Sequence, residues 1–489
     1  MKKYIKFLFA LMGCIIVASC DNYLDVKPEN KFLEEQVFST KQGISDALNG
    51  IYGDMISNNG YGGNLTLTAV ELLGQRYKPL DFSGSSPFYN MASFEYEDPG
   101  VQGYFSAIWG QLYTNILTMN NFLEAIEEYP NVLSEEQKDL VKGEVYGLRA
   151  MHHLDLLRLF GPIYSTNATD EAIPYYTKPL AEATPFLSAE KVMELILDDL
   201  NMAEMLLTND PVRTAGPQSL DNELIIELDD KFILSRNNRM NYYAVKALQA
   251  RANLYAGDSE SALVAAKAVI DEASQWFPWT QRAEVFGAGN SPDRIMSKEV
   301  LFSTINTALY SRHNSYFAAN LSDAAILTSD QDRLDQVFEG DFNDYRYTTT
   351  WFLPSNGAKD FPTFFKYAEI TDTDTDDLHI KFMQPLIRIT EMYYIAAETE
   401  PNLDIALGYL NTVRNNRGLI SLDSQNVTDI QIEIMKEYQK EFYGEGQLFF
   451  YYKRLNIAEI PNGLQPAGTI DMGVNQYVVP IPRSETDYR

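Results

Sequence analysis

The chain has 489 residues, 45% of them hydrophobic and 22% charged, which is ordinary globular composition. A formal charge of −29 leaves no basic footprint for nucleic acid and argues against peripheral attachment to an anionic lipid surface. Its 2 cysteines, Cys14 and Cys20, both lie near the N-terminus, so thiol catalysis, cysteine-based metal sites and intrachain disulfides are excluded from the body of the protein.

The N-terminus reads as an export signal. Lys2, Lys3 and Lys6 form a basic start, Phe7 to Ala18 an apolar core too short to span a bilayer, and Val17-Ala18-Ser19-Cys20 a small-residue cut site ahead of polar chain. A Cys directly after small residues resembles a bacterial lipobox, with residues 1–19 as the signal peptide and Cys20 as the lipidated first residue. Leu11-Met12-Gly13-Cys14 is a rival, but a cut there leaves Ile15, Ile16 and Val17 at the mature end. A plain secreted protein with an incidental Cys is the bland alternative. No later apolar run reaches membrane-spanning length, so acyl chains would be the only anchor.

Amphipathic helices follow. Asn58 to Glu97 reads as a loop, with Asn59-Gly60-Tyr61-Gly62-Gly63 and Gly84-Ser85-Ser86-Pro87. Asp139 to Phe160 carries Leu140, Val141, Val145, Leu148, Leu154 and Leu157 at helical spacing and stops at Gly161-Pro162. Ser188 is placed to cap a helix bearing Val192, Ile196, Leu200 and Ala203 on one face. Asn241 to Tyr255, the turn Gly257-Asp258, and Glu260 to Ala273 form an alanine-rich helix pair that looks like a tetratricopeptide unit. Ala250 and Ala265 are expected where its helices meet. A second pair spans Leu386 to Val413. Trp276 to Asp293 and Asn306 to Met383 are mixed, with Gly, Asn, Asp and aromatics and room for short strands. The expected architecture is mostly α: residues 20–489 as a single domain, a tetratricopeptide-like scaffold with long loops and a few short strands. Stacked repeats of this kind commonly present a binding surface.

The ordered motifs resemble the SusD/RagB family of outer-membrane nutrient-binding lipoproteins over nearly the whole chain. They run from Cys20-Asp21-Asn22-Tyr23-Leu24 through Ala47-Leu48-Asn49-Gly50-Ile51-Tyr52, Leu148-Arg149-Ala150 and Leu159-Phe160-Gly161. Arg388, Glu391, Ala396-Ala397-Glu398, Leu410-Asn411-Thr412-Val413-Arg414 and Gly418 continue the series. Glu441, Glu445-Gly446, Tyr452-Lys453-Arg454 and Val479-Pro480-Ile481-Pro482 close it. Departures are His152-His153, the aromatic run Gln447 to Tyr452, and a short tail after Glu485. The resemblance implies a non-enzymatic lipoprotein on the cell surface. It would capture an oligosaccharide, or in some members peptides, and hand it to a SusC-like TonB-dependent transporter. Most of these motifs are expected to carry the fold, and ligand residues to lie in variable loops. A peptide or glycopeptide binder, and a secreted enzyme on a helical scaffold, stand as alternatives.

Candidate ligand residues come from the loops, in a chain of 31 Tyr, 26 Phe and 4 Trp. Trp276-Phe277-Pro278-Trp279 offers two rings that suit the flat C–H faces of sugars; the alternative is a plug on the repeat core. Arg76-Tyr77, with Asp81, Phe82 and Tyr89 nearby, combines a guanidinium with phenols that can bond or stack; the alternative is a surface turn. Tyr310 and Tyr316, flanking Arg312 and Asn314, are a third candidate pair. Trp109 and Trp351 are expected to be structural. Asp372 to Asp377 lacks the glycine turn and closing acid of a calcium loop and reads as solvated. His152 and His153, about 100° apart on a helix, cannot both face one metal ion. No HExxH, Walker or GxSxG motif is present, and no cofactor is implied.

Overall fold

The computed structural model describes residues 29–179, 183–217, 233–287, 292–355, 357–370 and 378–487. The signal segment, Cys14, Cys20, the opening motif through Pro28 and the acidic run 372–377 lie outside the described residues.

The scaffold is a series of helices, each packed on the next. It comprises α1 (Lys41–Met55), α2 (Pro99–Glu128), α3 (Glu135–Phe160), α4 (Ala189–Leu206), α5 (Tyr242–Ala256), α6 (Ser259–Ala273), α7 (Ile389–Thr399) and α8 (Leu403–Asn415). Local chemistry sets the ends. Ser134 and Gln137 form a capping box at α3, so that helix starts four residues before Asp139, where the apolar pattern first shows. Ser188 caps α4 by accepting from Lys191 N–H. Asn241 caps α5, Gly257 ends it in the left-handed region at φ 84°, and Asp258 caps α6. Ala250 and Ala265 are buried, as close packing of α5 and α6 requires. In the second pair, Leu386 and Arg388 are not helical. They end the strand Met383–Arg388, which pairs antiparallel with Val300–Ile305 before α7 begins.

Between α6 and α7 a long insertion supplies three strands of a small antiparallel sheet, and a segment before α2 supplies the fourth. Its strands are β1 (Lys78–Pro79), β2 (Leu327–Thr328), β3 (Trp351–Phe352) and β4 (Thr363–Phe364), in the order β1-β2-β4-β3. β1 comes from the segment expected to be a loop. Asn58 to Glu97 is turn-rich but not superficial: every residue from Gly60 to Tyr77 is buried. Side chains satisfy its irregular backbone, as Thr66 Oγ1 donates to Tyr61 O at 2.7 Å and Gln384 Nε2 donates to Thr66 Oγ1 at 2.7 Å.

The late motifs build a buried ionic cluster. The Glu441 carboxylate, at the end of α9 (Ile430–Glu441), accepts from Arg346, Arg388 and Arg417. Arg417 also bonds Glu299 at 2.6 Å, and Arg346 bonds Glu437 at 2.7 Å and Asp344 at 2.6 Å. Burial alone would raise the Glu441 carboxyl, but Arg417, Arg388 and Arg346 hold it well below the usual carboxylate range. Gly446, at φ 68°, brings the backbone against Leu65, where a Cβ would lie 1.9 Å from its carbonyl oxygen. Gly446 N–H donates to Glu71 Oε1 at 2.7 Å, tying the last helices to the buried segment beneath β1. These motif residues carry the fold, as the resemblance implied.

Candidate functional site

An aromatic surface forms where the segment after β1 meets α2 and the Leu309–Tyr316 helix. Ser86 caps the short Pro87–Ala92 helix by accepting from Tyr89 N–H, and Pro87 sits in its first turn. That helix presents Phe88 and Tyr89. Asn90, buried, donates to Gly84 O at 3.0 Å and so holds the preceding loop, which carries Phe82. The Phe82 and Tyr89 rings meet edge to face with centroids 5.6 Å apart. Phe88 lies 5.7 Å from Tyr104 of α2 and 5.9 Å from Tyr316. Phe82 is 54% exposed, and the other four rings are half-buried.

The surface is held from below. Arg312 donates to Gly62 O and Ile56 O, both at 2.7 Å, locking the Leu309–Tyr316 helix onto the buried segment. Lys78 in β1 pairs with Asp330 at 2.8 Å and lies 5.9 Å from the Phe82 ring centroid. Burial, with the neighbouring Tyr316 phenol, raises the Tyr104 phenol above its ordinary value, so it stays a neutral hydroxyl at the edge of the Phe88 ring. Apolar ring faces beside neutral phenols and a lysine can stack on a sugar ring and bond its hydroxyls. A groove of about 480 Å³ between α1 and α2, lined by Glu34, Phe38, Asp54 and Phe122 among others, includes none of these rings.

The other sequence candidates fall elsewhere. Tyr77 is fully buried, against Phe317 at 5.1 Å, Phe364 at 5.6 Å and Trp351 at 6.2 Å, because β1 turns its side chain under the sheet. Arg76 is buried too: it pairs with Glu71, donates to Gln439 O and stacks 3.3 Å from the Tyr443 centroid. The expectation that Arg76-Tyr77 reaches solvent therefore fails; both are supports. Trp276 packs on Gly216, whose φ of 70° and missing Cβ make room for the indole. Trp279 lies 5.1 Å from Tyr393 in α7 and 5.4 Å from the Arg417 guanidinium, while Phe277 is 1% exposed. Both tryptophans are half-buried, and the stretch has the packing of a plug on the helix core. Tyr310 contacts Phe382 at 5.4 Å, away from Tyr316 on the same helix. Trp109 and Trp351 are buried, as expected.

Of the candidates, Tyr89 meets Phe82 and Tyr316 meets Phe88, the residue before Tyr89 on the same short helix, and Phe88 and Tyr104 are the members sequence reasoning missed. The signal was present for Phe88, since Ser86-Pro87 is a helix-start pattern that fixes which way the next two rings point. His152 and His153 are buried and bond their own i−4 carbonyls, Leu148 O and Arg149 O. Among the described residues, no group of three His, Cys, Asp or Glu could hold a metal ion, and no helix is long and apolar enough to cross a membrane.

Fold and motifs together define a class, and the comparisons agree. Residues 22–218 match a family model described as "Starch-binding associating with outer membrane", and residues 314–479 match the SusD family model. The chain belongs to the SusD/RagB family. Among its relatives, SusD-like protein P38 of Formosa agariphila is 24% identical over 94% of this chain and 93% of that protein. SusD-like protein P2 of the same organism is 29% identical over 44% of this chain and 40% of its own length. A SusD superfamily protein from Bacteroides thetaiotaomicron superposes with a TM-score of 0.68 at 22% identity, covering 92% of this chain and 98% of that one. A SusD-like carbohydrate binding protein from Bacteroides vulgatus also gives 0.68, at 19% identity, with 92% and 96% covered.

Proposed function

We propose that this protein binds an oligosaccharide without cleaving it and hands it to a SusC-like TonB-dependent transporter at the outer membrane. The observation that carries the reading is the surface of Phe82, Phe88, Tyr89, Tyr104 and Tyr316: five rings at the solvent boundary of a rigid scaffold. Single exposed aromatics are common, but two ring groups, Phe82 with Tyr89 and Phe88 with Tyr104 and Tyr316, carried on neighbouring residues of one capped helix, are preorganised. Glycan binding by the Bacteroides vulgatus neighbour and the starch-binding description of the family model support the same ligand class. Family membership supports the transporter partner. Lipid attachment at Cys20, proposed from the basic start and the Val17-Ala18-Ser19 cut site, would hold the protein at the membrane. Mass spectrometry of the native N-terminus tests that attachment, and an unmodified or internally cut end would refute it.

The test of binding is a calorimetric and array screen of the body from Asn22 onward against neutral and acidic glycans and against peptides. Saturable glycan binding with no change in chain length supports the proposal. Binding of peptides alone, or turnover of the glycan, would overturn it.

A further inference from the structure

A second aromatic feature lies across the sheet from this surface. Phe342 is 70% exposed, the most exposed aromatic ring among the described residues. It is not loose. Its ring stacks on Tyr347 at 5.4 Å and 12°, Tyr347 stacks on buried Phe338 at 4.5 Å and 3°, and Phe338 lies 6.2 Å from Tyr443 at 18°. The Arg76 guanidinium sits 3.3 Å from the Tyr443 centroid at the inner end. Four near-parallel rings thus run from the core to solvent, and the last leaves one face uncovered. Polar groups surround the outer end. Gln331 Nε2 bonds the Tyr347 hydroxyl at 2.5 Å, Tyr347 Oη donates to Asp335, and Asp341 accepts from the Asn343 backbone and side chain at 2.9 and 2.8 Å.

The two aromatic features share a connection. Lys78, beside Phe82, pairs with Asp330, the residue that precedes Gln331. The contact path Phe82, Lys78, Asp330, Gln331, Tyr347, Phe342 is continuous. The ends differ in their polar company: Phe82 lies beside the Lys78 ammonium and the Tyr89 ring, and Phe342 beside a tyrosine whose hydroxyl meets Gln331 and Asp335. Asp335 and Asp341 would repel an anionic sugar, and the overall charge of −29 adds to that.

We propose that Phe342 is a second stacking subsite of the same ligand, so the preferred ligand is a long, uncharged oligosaccharide whose distal ring packs on Phe342. The inference rests on the glycan-binding reading of the first surface. A ring held in a stack loses little freedom on binding, which is what an exposed contact needs to gain affinity.

The experiment titrates the wild-type protein, Phe342→Ala and Phe342→Tyr with disaccharides and octasaccharides of the neutral malto, cello, xylo and manno series, and with an octameric uronate. For whichever neutral series binds the wild type, Phe342→Ala is expected to weaken the octasaccharide about tenfold and leave the disaccharide unchanged. Phe342→Tyr is expected to retain affinity for both, and all three proteins to melt alike. Equal octasaccharide affinity in wild type and Phe342→Ala overturns the second subsite while leaving the first surface standing. Preference for the uronate overturns the uncharged ligand class. If no glycan binds the wild type, the underlying reading fails and this inference falls with it.

Discussion

Lowering the pH should destabilise the protein through His152, by an amount its surroundings define. His152 Nδ1–H donates to Leu148 O at 2.7 Å, and Nε2 accepts from Asn115 Nδ2 at 3.2 Å. Asn115 cannot easily turn its amide round, because Gln111 Nε2 donates to its oxygen at 2.8 Å. A proton on Nε2 would therefore face another donor in a fully buried site. Burial, opposed by the Leu148 carbonyl and Asp155, pushes the imidazole down to about 4. The unfolded chain takes up its proton near 6.5. Stability from His152 is thus fully present above pH 6.5 and is lost as pH falls towards 4, about 3 kcal/mol in all at roughly 1.4 kcal/mol per pH unit. His153, stacked 3.7 Å from Tyr175 and accepting from Tyr176 N–H, shifts in the same direction. Asp293 opposes both. Burial raises its carboxyl to about 6, so its penalty is relieved as pH falls through 6. His152→Gln isolates the effect, since glutamine does not titrate. Guanidinium denaturation of both proteins from above pH 6.5 down to about pH 4 should give stability curves that converge by about 3 kcal/mol in favour of the variant. Parallel curves would show that His152 is not held neutral by its site.

Two further outcomes follow from burial elsewhere. Glu441→Gln removes one charge from three arginines and should cost about 3–5 kcal/mol in a denaturant titration, because the guanidinium groups stay buried; a cost under about 1 kcal/mol, the level of an exposed pair, would mean the cluster is hydrated. Tyr77→Phe should leave glycan binding unchanged and stability equal or higher by about 1 kcal/mol, since the Tyr77 hydroxyl is buried without a hydrogen-bond partner among the described residues. A selective loss of affinity would return Tyr77 to the ligand site.

The scaffold was legible because its signals are local. Asn241, Gly257 and Asp258 each do one capping task at a helix end, and small residues at helical spacing announced the close pair they bound. The family motifs were legible as a series, yet what they do was not. Glu441 and Arg388 are 53 positions apart, and nothing in either neighbourhood states that they meet. The same limit explains Arg76-Tyr77. A polar and an aromatic residue in a glycine-rich stretch look superficial, but β1 pairs with Leu327–Thr328 far along the chain and takes that stretch inside. Trp276 and Trp279 were equally ambiguous: stiff aromatic turns serve cores and ligands alike, and Gly216 and Tyr393 decided for the core.

The proposed ligand is held by the rings from Phe82 to Tyr316 and not by the tryptophan turn. The most direct measurement is calorimetric titration of Phe82→Ala/Tyr316→Ala and of Trp279→Ala with whichever oligosaccharide binds the wild type, beside melting curves of all three. The double variant should lose roughly fivefold to a hundredfold in affinity, from two stacking contacts worth about 0.5–1.5 kcal/mol each, with a cooperative melt preserved. Trp279→Ala should melt lower and bind normally. Normal affinity in the double variant together with lost affinity in a well-folded Trp279→Ala would contradict it.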